Sequence, residues 1–335
     1  MFDYKKIFFA IVIASVLVIF SSCSSLSQAA DEQIAISSFD ELERLPQIKS
    51  ARKLTVQEIN SAYVNVGFGR RDESDFDNIV VYEIFYNTSD GAEVMGIISA
   101  PLDYLDTAYP VTIRNRGNSN IPRGIGQNRY ALITRGVNWS EFGYITLLSY
   151  YRDAPYSASS NAAANEDTKH DQWGGDDLND VLGLIDMAEL FSFKGDGMFM
   201  EGHSRGGMMT YMALREDSRI DAAIVSGAVS DNAESYEEWK SMFNQAIGGS
   251  PDEFAEEYYR RSAVNWAEEI TTPLLIMHGA IDEVVSVSQS QKVYDKMEEA
   301  GRDVTFKVYE NTGHIFNTEM LKDAMEWLEI QKAEL

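Results

Sequence analysis

The chain has 335 residues, 44% of them hydrophobic, enough to bury one large core or one core with a small satellite. A formal net charge of −25 argues against nucleic acid or an anionic membrane surface as a partner. A single cysteine excludes any disulfide within the chain.

The first segment reads as a targeting signal. Lys5 and Lys6 form a basic start, residues 7–20 are apolar, and Ser21-Ser22-Cys23-Ser24-Ser25 follows. A lone cysteine among small residues at the end of an apolar segment resembles a bacterial lipobox, although Phe20 stands where a leucine-like residue is usual. The expectation is a lipoprotein signal peptide over 1–22, with a lipidated Cys23 as the mature N-terminus. The chain would then be exported and held at the bacterial cell envelope, touching membrane through that anchor alone. A later cut near Ala29-Ala30, or an uncleaved anchor, stays open. Residues 23–75 are polar and mixed and read as a tether and packing arm, with a helix near 56–62.

From residue 76 onward the pattern is that of one α/β domain. Residues 79–86 and 93–100 are two apolar strands joined by a turn at 87–91, an antiparallel hairpin at a sheet edge. Strands and helices then alternate: strands at 111–113 and 144–150, a helix over 177–191, a strand at 197–201 and a helix over 207–214. Further strands fall at 222–226, 274–277 and 304–309, with helices at 288–300 and 318–333. Short apolar runs separated by helices imply a mostly parallel sheet covered on both faces. Residues 231–269 interrupt the rhythm with Tyr236, Trp239, Phe243, Phe254, Tyr258, Tyr259 and Trp266, split by Gly248-Gly249-Ser250-Pro251. They are either surface helices packed on the core or a small helical cap over the site.

The chemistry concentrates at Gly202-His203-Ser204-Arg205-Gly206. An apolar strand before it and helix formers after it supply the strand–turn–helix setting that a G-x-S-x-G nucleophile requires. The turn lifts Ser204 above the sheet edge. A serine nucleophile needs a base, and the chain has four histidines. His203 lies inside the turn, with its side chain expected to point away. His278 ends a strand and is expected to pack there. His170 lies in a polar, carboxylate-rich run that reads as a solvated loop; a metal site there is the alternative. His314, in Asn311-Thr312-Gly313-His314, follows the last strand and is the candidate base. Asp282, in the loop after the preceding strand, is the candidate acid, with Glu283 as the fallback. That gives the chain order Ser, Asp, His.

An oxyanion hole needs two backbone N–H donors. One candidate is Arg205, directly after the nucleophile. The other is Gly117 or Asn118, in the Arg116-Gly117-Asn118 loop after the strand at 111–113. No cofactor and no metal is called for.

Taken together, Asp171-Gln172-Trp173-Gly174-Gly175-Asp176-Asp177, Gly202-His203-Ser204-Arg205-Gly206-Gly207, Pro273-Leu274-Leu275-Ile276-Met277-His278-Gly279 with Asp282, and Gly313-His314 resemble the prolyl oligopeptidase family. The likeness covers the catalytic domain, from about residue 78. It implies an α/β-hydrolase fold and a serine hydrolase of small peptide or ester substrates, with the family's triad falling on Ser204, Asp282 and His314. Two departures stand out: the chain has no room for the family's β-propeller, and its oxyanion loop reads Arg116-Gly117-Asn118 where the family carries His-Gly-Gly or a tyrosine. Both leave the choice between a peptidase and a carboxylesterase open. A rival from another class, a binding protein on a dead hydrolase fold, is opposed by the intact Ser, Asp and His.

Overall fold

The computed structural model describes residues 34–117, 126–152 and 172–335. Cys23 and the targeting segment, Asn118, and His170 lie outside the described residues. Ile36–Leu335 forms one unit by its internal contacts, and every strand and helix named here belongs to it.

Among the described residues nine strands form one sheet: β1 (Ile48–Lys53), β2 (Ile79–Asn87), β3 (Glu93–Pro101), β4 (Val111–Asn115), β5 (Ile145–Ser149), β6 (Met198–His203), β7 (Ala222–Ser226), β8 (Leu274–Gly279) and β9 (Val304–Tyr309). Their order across the sheet is β1-β2-β3-β5-β4-β6-β7-β8-β9. The hairpin expected from 79–100 is β2–β3, and both its pairings and that of β3 with β5 are antiparallel. From β5 to β9 all pairings are parallel.

The central strands β4 to β8 are buried at almost every position because both faces are covered. Side chains alternate between faces along each strand. Met198 and Met200, Ala223 and Val225, and Leu274 and Ile276 enter one core cluster with Val181, Leu184, Met209 and Val293. Those partners come from α3 (Leu178–Glu189), α4 (Arg205–Glu216) and α7 (Val287–Glu299). Phe199, Ile224, Leu275 and Met277 point the other way, onto Met320, Ala324 and Leu328 of α8 (Thr318–Lys332). On the hairpin side that second face is closed by α1 (Val56–Asn65) and α2 (Gly126–Ser140), through Ile59, Tyr63, Leu132, Ile133 and Val137. The start of α1 is set by a reciprocal cap, with Thr55 Oγ1 accepting from Glu58 N at 3.3 Å and Glu58 Oε2 accepting from Thr55 N at 2.9 Å.

Where the sequence reads only an arm over 23–75, the structure adds β1 as an edge strand; where it reads no helix between β4 and β5, the structure has α2. Residues 231–269 form α5 (Lys240–Ala246), α6 (Ala255–Arg261) and two 3₁₀ turns. Their aromatics mostly face inward: Trp266, Phe243, Tyr258 and Tyr236 are buried, and Phe254 and Tyr259 are exposed.

The chain passes from β4 to β5 on one side of the sheet, and β6 then lies on the other side of β4. Such a reversal opens a crevice beyond the carboxyl ends of the strands. The residues following β4 and β6 meet there.

Candidate active site

Ser204 joins β6 to α4 with φ 59° and ψ −123°. A side chain at positive φ is strained, and the surrounding structure must hold it there. Ser204 N donates to Ser226 O at 2.9 Å, and Ser204 O accepts from Gly207 N at 2.9 Å. The turn also demands close backbone approach. A Cβ on Gly206 would lie 2.0 Å from the carbonyl oxygen of Asn115, the last residue of β4. Gly206→Ala is therefore expected to destabilise the fold by at least the roughly 1–3 kcal/mol typical of core overpacking. A lowered denaturant midpoint checks this; an unchanged midpoint contradicts the clamped turn.

Three loops bring the expected residues together. Ser204 Oγ lies 2.8 Å from His314 Nε2, and His314 Nδ1 lies 2.7 Å from Asp282 Oδ2. The hydroxyl can donate to Nε2 while Nδ1–H donates to the carboxylate, which is the tautomer a general base needs. Asp282 is itself fixed: Oδ1 accepts from Val284 N and Val285 N, each at 2.9 Å, and Oδ2 lies 3.2 Å from His278 Nε2. Burial favours the neutral acid, yet the hydrogen bonds from His278, His314, Val285 and Val284 outweigh it and hold the carboxyl well below its usual range.

His278 does pack at its strand end, fully buried, and does more than fill space. Its Nε2 faces two acceptors, Val285 O at 2.9 Å and Asp282, so Nε2 carries the proton, and Nδ1 accepts from Ser290 Oγ at 2.7 Å. Beneath the trio runs Gly227, at φ 49°. A Cβ there would sit 3.3 Å from both Asp282 Oδ2 and His314 Nδ1.

His203 departs from expectation. Its ring lies beside the base rather than away from the site, 4.8 Å from the ring of His314 and tilted by 40°, with Nδ1 3.0 Å from Ser226 Oγ. The reason is the period of the strand: Phe199, Glu201 and His203 share the face of β6 on which the His314 loop lies. Burial, then repulsion from His314 and Arg135, pulls the His203 imidazole down to about 3. It stays neutral and donates no charge to the site.

Gly117 abuts the turn as expected of an oxyanion loop: a Cβ there would lie 3.2 Å from His203 O and 3.5 Å from Ser204 Cβ. The other candidate donor, Arg205 N–H, opens α4. Its side chain, missed in the sequence, is anchored by a buried ion pair with Asp177, 2.6 Å between Nη2 and Oδ2, and by the rings of Tyr151 and Trp173, 4.8 and 5.1 Å from its guanidinium carbon. Trp173 is in turn held from the 231–269 segment, with Nε1 donating to Asn232 Oδ1 at 2.8 Å and its carbonyl accepting from Arg261 Nε at 3.0 Å. That segment thus supports the residue after the nucleophile from behind. A second buried pair, Arg152 with Asp180 at 2.7 Å, ties the end of β5 to α3. The sequence signal for both pairs is the Asp177/Asp180 spacing of three, which puts two carboxylates on one side of a helix start.

Beside His314 opens a cavity of about 630 Å³, bounded by the loop at 315–317, by α2 and by the ends of β4 and β6. No residue of 231–269 lines it.

The chain is 26% identical over 268 residues to the uncharacterized peptidase YtmA of Bacillus subtilis, a match covering 77% of this chain and 97% of that protein. It is 23% identical to dipeptidyl-peptidase 5 of Porphyromonas gingivalis, covering 68% of this chain but 34% of the relative's length. Among solved structures, acylaminoacyl peptidase of Pyrococcus horikoshii shares the fold at TM-score 0.60 and 19% identity, over 78% of this chain and 44% of that one. An acetyl xylan esterase from Paenibacillus sp. R4 does so at 0.57 and 15% identity, over 88% of this chain and 99% of that one. The profile of the prolyl oligopeptidase family matches residues 158–331, which include Ser204, Asp282 and His314. On that match the chain belongs to the prolyl oligopeptidase family, as a serine-type peptidase or esterase with an α/β-hydrolase fold.

Proposed function

We propose that this protein hydrolyses peptide or ester acyl bonds through an acyl-enzyme on Ser204. The observation carrying the reading is the unbroken run from Ser204 Oγ through His314 to Asp282, with contacts of 2.8 and 2.7 Å, on a serine held at positive φ. His314 Nε2 takes the hydroxyl proton as Oγ attacks the carbonyl carbon. The developing oxyanion takes the N–H of Arg205 and that of Gly117 or Asn118. As the tetrahedral adduct collapses, His314 gives the proton to the departing amine or alkoxide, and water repeats the sequence on the acyl-enzyme. Asp282 stabilises the imidazolium formed at each step.

The family match and the peptidase relatives support amide substrates. The acetyl xylan esterase supports an ester reading, since the chain covers 99% of it but under half of the acylaminoacyl peptidase. A matched p-nitroanilide and p-nitrophenyl ester sharing one acyl group separate the two, with Ser204→Ala as the blank. Amide turnover well above the blank establishes a peptidase; ester turnover alone establishes an esterase.

The pH dependence has a defined sign. General-base catalysis requires an unprotonated base, so kcat/KM falls on the acid side. Asp282 stays ionised and His203 stays neutral across the working range, because both are held far below it. The acid limb of log kcat/KM is expected to have unit slope. A slope of two would show a second required ionisation and contradict these assignments.

A further inference from the structure

The hydrolytic steps leave the cavity beside His314 unexplained, and its wall carries an unusual charge. Three of its lining residues are Arg114, Arg116 and Arg135, against a single carboxylate among the described residues, Glu201. Glu201 is already spent on Arg114, with Nη2 and Oε2 2.6 Å apart and both side chains at most 10% exposed. Arg116 Nε donates to Tyr150 O at 2.8 Å. Arg135 differs. It projects from α2 into the cavity and stays accessible there, yet among the described residues its guanidinium makes no hydrogen bond and no ion pair. It is a cation at neutral pH, its neighbour Arg114 carries the same charge, and among the described residues it has no counter-charge of its own. In a chain of net charge −25, an acceptor for it was not scarce.

Position fixes which part of a substrate would meet this group. His314 must hand its proton to the departing amine or alkoxide, so the leaving group lies on the His314 side of Ser204. The cavity is lined by His314 itself and by Ile315 and Phe316 of its loop. Its remaining walls include Trp139, Leu148 and Leu321, an apolar surround for a side chain. A planar guanidinium on the wall of such a cleft matches a carboxylate, which it binds through two parallel N–H bonds.

We infer that the cavity beside His314 is a leaving-group subsite in which Arg135 binds a free carboxylate, so that the favoured substrates release an acidic product with an apolar body, such as the free C-terminal residue of a short peptide. This subsite rests on the proposed serine-hydrolase activity and deepens it.

The test compares kcat/KM within two matched pairs that share one acyl group: an acyl-phenylalanine amide bond with a free C-terminal carboxylate against its carboxamide, and an ester of 4-hydroxybenzoate against one of 4-hydroxybenzamide. The ester pair makes the result independent of any amide preference, and the two pairs distinguish a peptide terminus from a hydroxy-acid product. The wild type is expected to favour the carboxylate form by about 10- to 100-fold in at least one pair, mainly through KM, the range of a charge-assisted hydrogen bond. In Arg135→Gln that ratio falls toward one; in Arg135→Lys part of it survives. Because the ratio is taken within each enzyme, a general loss of activity does not move it. Turnover of both members at equal rates by the wild type in both pairs overturns the inference alone, and so does a ratio unchanged in Arg135→Gln. No turnover of any of the four by the wild type overturns the hydrolase reading, and the inference falls with it.

Discussion

Ser204→Ala is expected to lower kcat by about 10⁶-fold, the scale seen when a triad nucleophile is removed from other serine hydrolases. At about 1.36 kcal/mol per decade this is roughly 8 kcal/mol of transition-state stabilisation. The same substitution is expected to leave the fold almost untouched. The hydroxyl removed contacts His314 Nε2, and the strained backbone of the turn is held by Ser226 O and Gly207 N, which alanine keeps. Alanine at φ 59° carries the same strain as serine, so none is released. Turnover on an activated ester and the denaturant midpoint, measured on the same preparation, check both halves. Retention of more than a few per cent of wild-type kcat would remove Ser204 from the reaction.

Asp282→Asn is expected to cost about 10⁴-fold in kcat, by way of a tautomer. The carbonyl oxygen of the asparagine is fixed by the two amides it must accept from, Val284 N and Val285 N. Its NH₂ group then faces His314 Nδ1 and His278 Nε2. Nδ1 can only accept from it, so the His314 proton moves to Nε2, where it points at Ser204 and removes the base. His278 cannot make the same adjustment freely, because Val285 O also needs its Nε2 proton. The substitution therefore also costs stability. Because the Asp282 carboxyl is held far below its ordinary value, its contribution is fully present above about pH 4 and is lost as pH falls through the folded-state value. The stability gap between wild type and Asp282→Asn should narrow below about pH 4. A constant gap would mean that the carboxylate is not favoured by the fold. Wild-type kcat in Asp282→Asn would mean that another group orients His314.

The legible parts of this molecule were those where one physical rule acted alone. Strands β4 to β8 are buried on both faces and read as short, mainly apolar runs. Ser204, Asp282 and His314 were found because each lies just past a strand, in a fixed chain order. β1 was not legible: of Ile48-Lys49-Ser50-Ala51-Arg52-Lys53 only Ile48 is buried, and an edge strand takes its place from backbone pairing with β2. α2 was hidden by Gly136, which lowers helix propensity but packs against Ser99 and Leu148, where a larger residue would crowd β3 and β5. Paired side chains were the hardest to read. Arg205 and Asp177, or Arg152 and Asp180, are far apart in the chain and look like ordinary surface charges until the fold buries them together. The direction of His203 needed only the two-residue period of β6, a signal present in the sequence but outweighed by the expectation that a residue beside the nucleophile points away.

Whether Ser204 is an activated nucleophile is decided by the intact mass and peptide map of the folded protein after reaction with a fluorophosphonate, run beside Ser204→Ala and His314→Ala. One adduct per chain is expected, mapped to Ser204, absent in Ser204→Ala and formed far more slowly in His314→Ala. An adduct on a different residue, or a wild type that stays unlabelled while folded, would contradict an activated nucleophile at this site.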